Sequence, residues 1–579
     1  LRGCCLALSG IVWLCLAPMA QAGQIDARDF ARPATFSNPA LSPDGQYLAL
    51  TVHNDKWDME KYQLVVLHLP DLKGVSKLGM KEGRLPAKVV WASNTRPVIE
   101  LAVLQAWDDV PKLTGEDIAI DDDGKNQTTL FAPGLDWMHN AHGIASIAGV
   151  PYPRNGHVYL TQSWWPAQKD AKNREPSLSE VVDVDATTGS TVALGKIDRP
   201  YFSFVIQGGL ARLAYARTSA GASIVFTRTS LWSRWRPMNR IVAGNEMIPL
   251  RLSWDGRKLW SLRSIAGGPE ALVVSGPDGS GMRVLASDET ASVGNVLWNE
   301  RTDTPYAAVF MGDRPHVVYL DQSISAQVLK ALNDKFPDHD VTIEGMDDSG
   351  KVMLVFADSD RDPGSVGLFD ARTMNLRPLY RVMDWIVPGQ MARRMPFHFR
   401  TSDGMQLHGY LTLPVDKESK RLPAVLMPHG GPIGISDHWA FDADAEFLAS
   451  RGYAVVQVNY RGSGGRGPAF ELAAYRHFGD RVQRDLLEGL RWTITQGYVD
   501  KNRVCVYGAS FGGYSALMQP ILAPGAYKCA IDLSGVADYT IEFDRSDTAK
   551  YAYGRDYFSE AIGDRAQAEA ISPLYQLDR

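Results

Sequence analysis

The stretch Val504-Cys505-Val506-Tyr507-Gly508-Ala509-Ser510-Phe511-Gly512-Gly513-Tyr514 joins a β-branched run to a turn, and an apolar run through Ala516, Leu517 and Met518 follows. Val504 to Tyr507 reads as a buried strand and the later run as a helix. Between them Gly508 to Gly512 spells G-x-S-x-G. In the order strand, sharp turn, helix, this pattern describes a nucleophile elbow, whose strained backbone lifts the serine hydroxyl above the sheet. Gly508 and Gly512 must be small because a side chain at either position would collide with the neighbouring strand or helix. G-x-S-x-G alone arises often by chance, and its bland reading is a glycine-rich turn with an inert serine. The flanking elements make Ser510 the candidate nucleophile.

Outward from the elbow, strands and helices alternate. Val425–Met427 reads as a strand, Phe441–Ser450 as a helix, Ala454–Val458 as a strand and Val482–Thr495 as a helix. After the elbow come a helix over Tyr514–Leu522 and a strand over Cys529–Leu533. Such alternation predicts a doubly wound, mostly parallel sheet. A hairpin over Phe397–Arg400 and Leu407–Leu413 precedes it, so an α/β-hydrolase domain is expected over 395–579. Pro388-Gly389 and Arg393-Arg394 read as the linker before it.

Residues 35–385 repeat weakly. Ser42-Pro43-Asp44-Gly45, Ser253-Trp254-Asp255-Gly256 and Asp348-Ser349-Gly350 each precede a short strand-like run. Weaker counterparts lie at Ser93-Asn94, Asn155-Gly156, Gly208-Gly209 and Asn299-Glu300. A spacing of roughly 45–60 residues is that of four-stranded propeller blades, and the markers count seven. The alternative is a pair of β-sandwiches. Asp121-Asp122-Asp123-Gly124 lacks the alternating ligands and closing Glu of a calcium loop and reads as a hairpin turn. Trp164-Trp165 reads as blade packing, and Asn126-Gln127-Thr128 is a glycosylation sequon.

The chain has 579 residues, 45% hydrophobic and 22% charged, with a net charge of −6. Those values suit several globular domains and give no reason to expect nucleic acid or an anionic membrane as partner. Arg2, the apolar run Cys4–Leu16 and Ala20-Gln21-Ala22 read as an export signal over 1–22, cleaved near Ala22. The protein is therefore expected to be exported, periplasmic or secreted, with no membrane association beyond export. A retained membrane anchor is the alternative. Of the five cysteines, Cys4, Cys5 and Cys15 fall in this signal. Cys505 and Cys529 sit in apolar strand-like runs and read as two buried thiols. No Cys/His spacing suggests a metal, and no cofactor is expected.

A serine nucleophile needs an oxyanion site, worth about 3 kcal/mol per donor. His429-Gly430-Gly431-Pro432 follows the first long strand of the α/β region, where hydrolases place a glycine-rich oxyanion loop. Gly431 (or Gly430) and Phe511 are the candidate backbone donors, with His429, Gly430, Gly508 and Gly512 supporting. His429-Gly430-Gly431-Pro432, Asn459-Tyr460-Arg461-Gly462-Ser463-Gly464-Gly465, Asp485, Gly497-Tyr498-Val499-Asp500 and the elbow together resemble the prolyl oligopeptidase family of serine peptidases. The similarity is greatest to its acylaminoacyl-peptidase and dipeptidyl-aminopeptidase branch. The resemblance is specific over about 395–579 and architectural over the propeller. It implies cleavage of short oligopeptides through an acyl-enzyme on Ser510, with the propeller filtering access. Phe478-Gly479 stands where the family has Trp-Gly.

The resemblance also implies an Asp and then a His after the serine, yet the last histidine here is His477. The segment Ile571–Arg579 resembles the run just before the strand that bears the family's acid. Acid and base are therefore expected beyond Arg579, leaving the residues to 579 inactive and insoluble on their own because the sheet ends on an apolar edge. An upstream base would have to be His429, His438 or His477, and His429 reads as structural. Two other functions remain open at this level: an esterase or lipase on the same fold, and a catalytically silent binding propeller.

Overall fold

The computed structural model describes residues 25–577 except 54–61, 81–82, 105–110, 134–141, 166–175, 219–220, 239–245, 416 and 547. The proposed export signal, with Cys4, Cys5 and Cys15, lies outside the described residues.

Among the described residues seven antiparallel sheets follow one another from Phe36 to Arg381, six of four strands and one of three. The seven turn markers all fall at one place, the turn between a blade's first and second strands. The sharp markers are sharp for a physical reason. Ser42 Oγ donates to Asp44 while accepting from Tyr47 N–H, and Ser253 repeats this with Asp255 and Lys258. Gly45 and Gly256 follow in the left-handed region, at φ 71° and 67°. The sixth blade has three strands, Val293–Asn299, Thr304–Met311 and Pro315–Tyr319. A helix, Ile324–Lys335, comes next, and its Ala326, Val328, Leu329 and Leu332 pack on Val309, Val341 and Met353. First and last blades meet through Leu41, Leu48, Leu50, Leu354 and Val366. Asp348 N–H to Pro43 O (2.7 Å) and Arg377 to Leu69 O (2.8 Å) join them further.

Asp121–Gly124 is a hairpin turn, with Asp121 accepting from buried Arg96 and from Asn126. Trp164 packs edge-on against Phe131 of the second blade. Within that blade Lys88, Glu100 and Asp117 stand side by side on three adjacent strands. Asp117 is fully buried, and among the described residues neither carboxyl oxygen finds a hydrogen-bond donor. Burial first, then the Glu100 charge, pushes its carboxyl up to about 7. From about pH 4 to pH 7 the folded protein thus keeps a proton that the unfolded chain releases, so stability falls as pH rises through that window. Asp117→Asn is expected to flatten this fall. Its urea midpoint should exceed that of the wild type at pH 8 and converge with it near pH 4. Parallel curves would contradict the assignment.

The second unit is a six-stranded sheet. In spatial order it runs Arg393–Arg400, Gln406–Leu413, Ala454–Asn459, Leu422–Leu426, Val499–Ala509 and Cys529–Leu533. The first two strands are antiparallel and the last four parallel. Arg393 and Arg394, read as linker from sequence, are the first residues of the first strand, and Arg394 is buried. The two central parallel strands, Ala454–Asn459 and Leu422–Leu426, are buried almost throughout because both faces are covered. Helices Ala443–Ser450, Arg481–Thr495 and Phe511–Leu522 pack on them. The short helix Ala27–Ala31, N-terminal to the propeller, also docks here. Phe30 meets Phe447, Trp385 Nε1 donates to Asp29 O, and Arg451 donates to Ile25 O. Among the described residues no helix is long and apolar enough to cross a membrane.

Cys505 and Cys529 are not two buried thiols. They lie opposite each other on adjacent parallel strands, Cα atoms 4.7 Å apart, and form a disulfide. Among the described residues Cys529–Leu533 is the outermost strand of the sheet, and all five of its residues are exposed. The bridge closes a loop of 24 residues that holds the whole elbow and its helix. Cys505→Ser with Cys529→Ser is expected to cost about 3 kcal/mol by loss of that cross-link. A lowered urea midpoint of the hydrolase transition, reproduced by reducing the wild type with dithiothreitol, checks this.

Candidate active site

Ser510 ends the strand Val499–Ala509 and caps the helix Phe511–Leu522 at φ 55° and ψ −121°. A non-glycine residue there is strained, and surrounding contacts must hold it. They do. Ser510 N–H donates to Leu533 O on the outer strand (3.0 Å), and Ser510 O accepts from Tyr514 N–H (3.0 Å). The side chain stays exposed.

The two elbow glycines are required on both sides. A Cβ at Gly508 would fall 2.4 Å from the carbonyl of Gly512, and one at Gly512 would fall 2.2 Å from Pro428 O. The second contact brings the start of the helix against the His429–Pro432 loop. A Cβ on Gly430 would sit 3.7 Å from Ser510 Cβ, and Gly431 adopts φ 124°. Serine, glycine loop and the first turn of the helix are thus brought together. Phe511 is the first helical residue, so its N–H lacks an intrahelical partner. Its ring is buried against Tyr460, Phe478 and Tyr514, with centroids 5.8, 5.5 and 5.2 Å away. Phe478, which departs from the family's tryptophan, fills that position as an apolar anchor.

His429 is held by its surroundings. Its ring stacks on Tyr460 at 4.2 Å, Nδ1 lies 2.7 Å from Gly430 O and Nε2 lies 2.8 Å from Ser463 Oγ. Burial pushes its pKa down to about 4, so the ring is neutral near pH 7. Nδ1–H then donates to Gly430 O, and Nε2 accepts from Ser463. Tyr460 OH also lies 3.3 Å from Gly430 O. With that carbonyl held on one side, the trans-related Gly431 N–H of the same peptide plane faces the other way. His438 contacts Ser436, and His477 pairs with Asp480. None of the three upstream histidines is hydrogen-bonded to Ser510 among the described residues.

The loop that supplies Tyr460 and Ser463 is anchored by Arg461. Its guanidinium bonds Asp485 at 2.8 Å through both Nε and Nη2, and Asp403 at 2.9 Å. Sequence reading singled out Asp485 without a partner and missed Arg461 in this role. It also missed a charged cluster between the two units. Arg217 Nη2 lies 2.7 Å from Glu246 of the propeller and 2.9 Å from Glu471 of the hydrolase unit. Glu270, bonded to Ser292, is close by. Two carboxylates thus share one guanidinium with a third nearby, and burial holds the Glu246 carboxyl up to about 7. Among the described residues no group of three or more His, Cys, Asp or Glu side chains could hold a metal ion.

The chain is 26% identical over 404 residues to dipeptidyl aminopeptidase BIII of Pseudoxanthomonas mexicana, a match covering 68% of this chain and 56% of that one. It is 24% identical over 386 residues to dipeptidyl peptidase family member 6 of Caenorhabditis elegans, covering 61% and 51%. The chain thus spans about half the length of the curated relatives it matches. Its fold is that of puromycin hydrolase, with a TM-score of 0.68 at 17% identity, covering 96% of this chain and 86% of that one. It is also that of the Pyrococcus horikoshii acylaminoacyl peptidase, with a TM-score of 0.62 at 15% identity, covering 95% and 85%. The architecture is therefore a seven-bladed propeller followed by an α/β-hydrolase unit. Residues 439–579, which carry the elbow, match the prolyl oligopeptidase family.

Proposed function

We propose that the protein is a serine peptidase of short oligopeptides, with Ser510 as nucleophile and the N–H groups of Gly431 and Phe511 as oxyanion donors. The observation that carries this is the strained, exposed Ser510 at a helix start, packed against the Gly430–Gly431 loop. An acyl-enzyme forms when Ser510 Oγ adds to the scissile carbonyl, the C–N bond breaks and the serine proton ends on the departing amine. Each oxyanion donor contributes about 3 kcal/mol at that step. The propeller limits substrates to those small enough to pass between the two units. Export through the segment 1–22 is part of the same reading, supported by the Cys505–Cys529 disulfide, which persists in oxidising compartments.

A free amino terminus is the proposed mark of the substrate. The names of two relatives, a dipeptidyl aminopeptidase and a dipeptidyl peptidase family member, support this. So does the surplus negative charge of Glu246, Glu270 and Glu471 between the units. The test compares a dipeptidyl p-nitroanilide, its N-acetylated form and a p-nitrophenyl ester. The proposal expects turnover of the free anilide, a large loss on acetylation, and Ser510 dependence throughout. Ester hydrolysis without anilide hydrolysis would favour an esterase instead.

A further inference from the structure

The turn of the sixth blade reaches into the hydrolase unit. Asp313, between Thr304–Met311 and Pro315–Tyr319, places Oδ2 2.6 Å from His398 Nε2. Its Oδ1 lies 3.4 Å from Arg466 Nη2 and 3.5 Å from His408 Nδ1, and its backbone carbonyl accepts from Tyr410 OH at 3.1 Å. His398 and His408 are direct cross-strand partners, so one propeller carboxylate grips both strands of the hairpin and the Arg466 loop. Next to it, the Arg314 guanidinium lies 4.6 Å over the Trp439 ring. The contacts to Asp313 hold its carboxyl down at about 2, and burial keeps His408 at about 4. The carboxylate is therefore charged at neutral pH, which makes its hydrogen bonds charge-assisted.

Arg466 belongs to a glycine-rich segment that is bonded on both sides. Toward the propeller, Ser292 N–H donates to Gly465 O (2.8 Å) and Ala469 N–H donates to Gly267 O (3.0 Å). A Cβ on Gly467 would lie 2.2 Å from Gly268 O. Toward the oxyanion loop, Gly434 N–H donates to Gly462 O (2.9 Å) and Gly464 N–H donates to Ile435 O (3.0 Å). Ser463 Oγ donates to His429 Nε2 (2.8 Å).

We propose that the segment Gly462–Gly467 is a coupler: docking of the propeller, clasped by Asp313, sets the position of Ser463, His429 and thus the Gly430–Gly431 peptide. Asp313 and Ser463 act as positioning residues for the proposed oxyanion site, and the inference rests on the assignment of Gly431 as a donor. The coupling is physical and contiguous, from carboxylate to guanidinium to backbone to imidazole to peptide plane.

Hydrogen–deuterium exchange on the native protein tests this without needing turnover. Asp313→Ala is expected to speed exchange several-fold in residues 429–436 and 460–467, with a smaller rise in Asp313→Asn. Ser463→Ala breaks the coupler while leaving the clasp intact, so it should loosen 429–436 and leave 312–316 unchanged. It also serves if Asp313→Ala fails to fold. With an anilide substrate, kcat should fall while KM stays within about twofold, the signature of lost transition-state positioning. Exchange that changes only in 312–316 and 393–413 would overturn the coupler. If the loop follows Asp313 but Ser510 takes no fluorophosphonate label, the coupling stands and the nucleophile assignment falls.

Discussion

Ser510→Ala is expected to abolish hydrolysis, lowering kcat by roughly 10⁴- to 10⁶-fold, as loss of a covalent nucleophile does when the rest of the site survives. The fold should not suffer. The side chain is exposed, and the contacts that fix residue 510 are its own N–H and C=O, to Leu533 O and Tyr514 N–H, which alanine keeps. The change in stability should stay within about 0.5 kcal/mol, the usual range for an exposed position. Activity and stability therefore separate at this residue. A variant that loses activity together with its folded circular dichroism would not support the assignment.

The second large effect is expected at Arg461. Its side chain is 3% exposed and that of Asp485 is 1% exposed, so the pair is desolvated on both sides. Asp485 also accepts from Arg461 N–H (3.0 Å), and Asp403 in the hairpin turn takes the other face of the guanidinium. Removing the cation leaves a buried carboxylate without its counter-charge, which costs about 3–5 kcal/mol. Burial pushes the Asp485 carboxyl up and the arginine pulls it back down, so Arg461→Ala should also make stability fall as pH rises through the range where the bare carboxyl ionises. Arg461→Lys should recover only part of the loss, because an ammonium cannot bridge Asp485 and Asp403 with a planar fork. Arg461→Ala with Asp485→Asn should cost less than the sum of the two single changes. Additive costs measured by urea unfolding would show that the pair is not coupled.

Much of this protein is written locally. The elbow is legible because its strand, turn and helix are contiguous, and because Gly508 is a glycine for its contact with nearby Gly512, although Gly512 itself answers to the distant Pro428. Two of the blades are legible through Ser-x-Asp-Gly turns that close their own hydrogen bonds. What remained hidden depends on elements far apart in sequence. The disulfide needs the register that sets Cys505 opposite Cys529, and the exposure of Cys529 follows from its strand lying outermost. The clasp joins Asp313 to His398 and Arg466 across 85 and 153 residues. The docking of Phe30 on Phe447 joins the first described helix to a unit some four hundred residues later. The helix Ile324–Lys335 did carry a local signal, Ser323 as its cap and Val328, Leu329 and Leu332 at helical spacing. The count of strand markers passed over it.

Ser510 is proposed as a nucleophile held by the elbow beside the Gly430–Gly431 loop. The decisive measurement treats the full-length native protein with a fluorophosphonate probe and maps the modified peptide by mass spectrometry. A single adduct is expected on Ser510, absent in Ser510→Ala. Correctly folded protein that takes no label, or takes it on another serine, would contradict it.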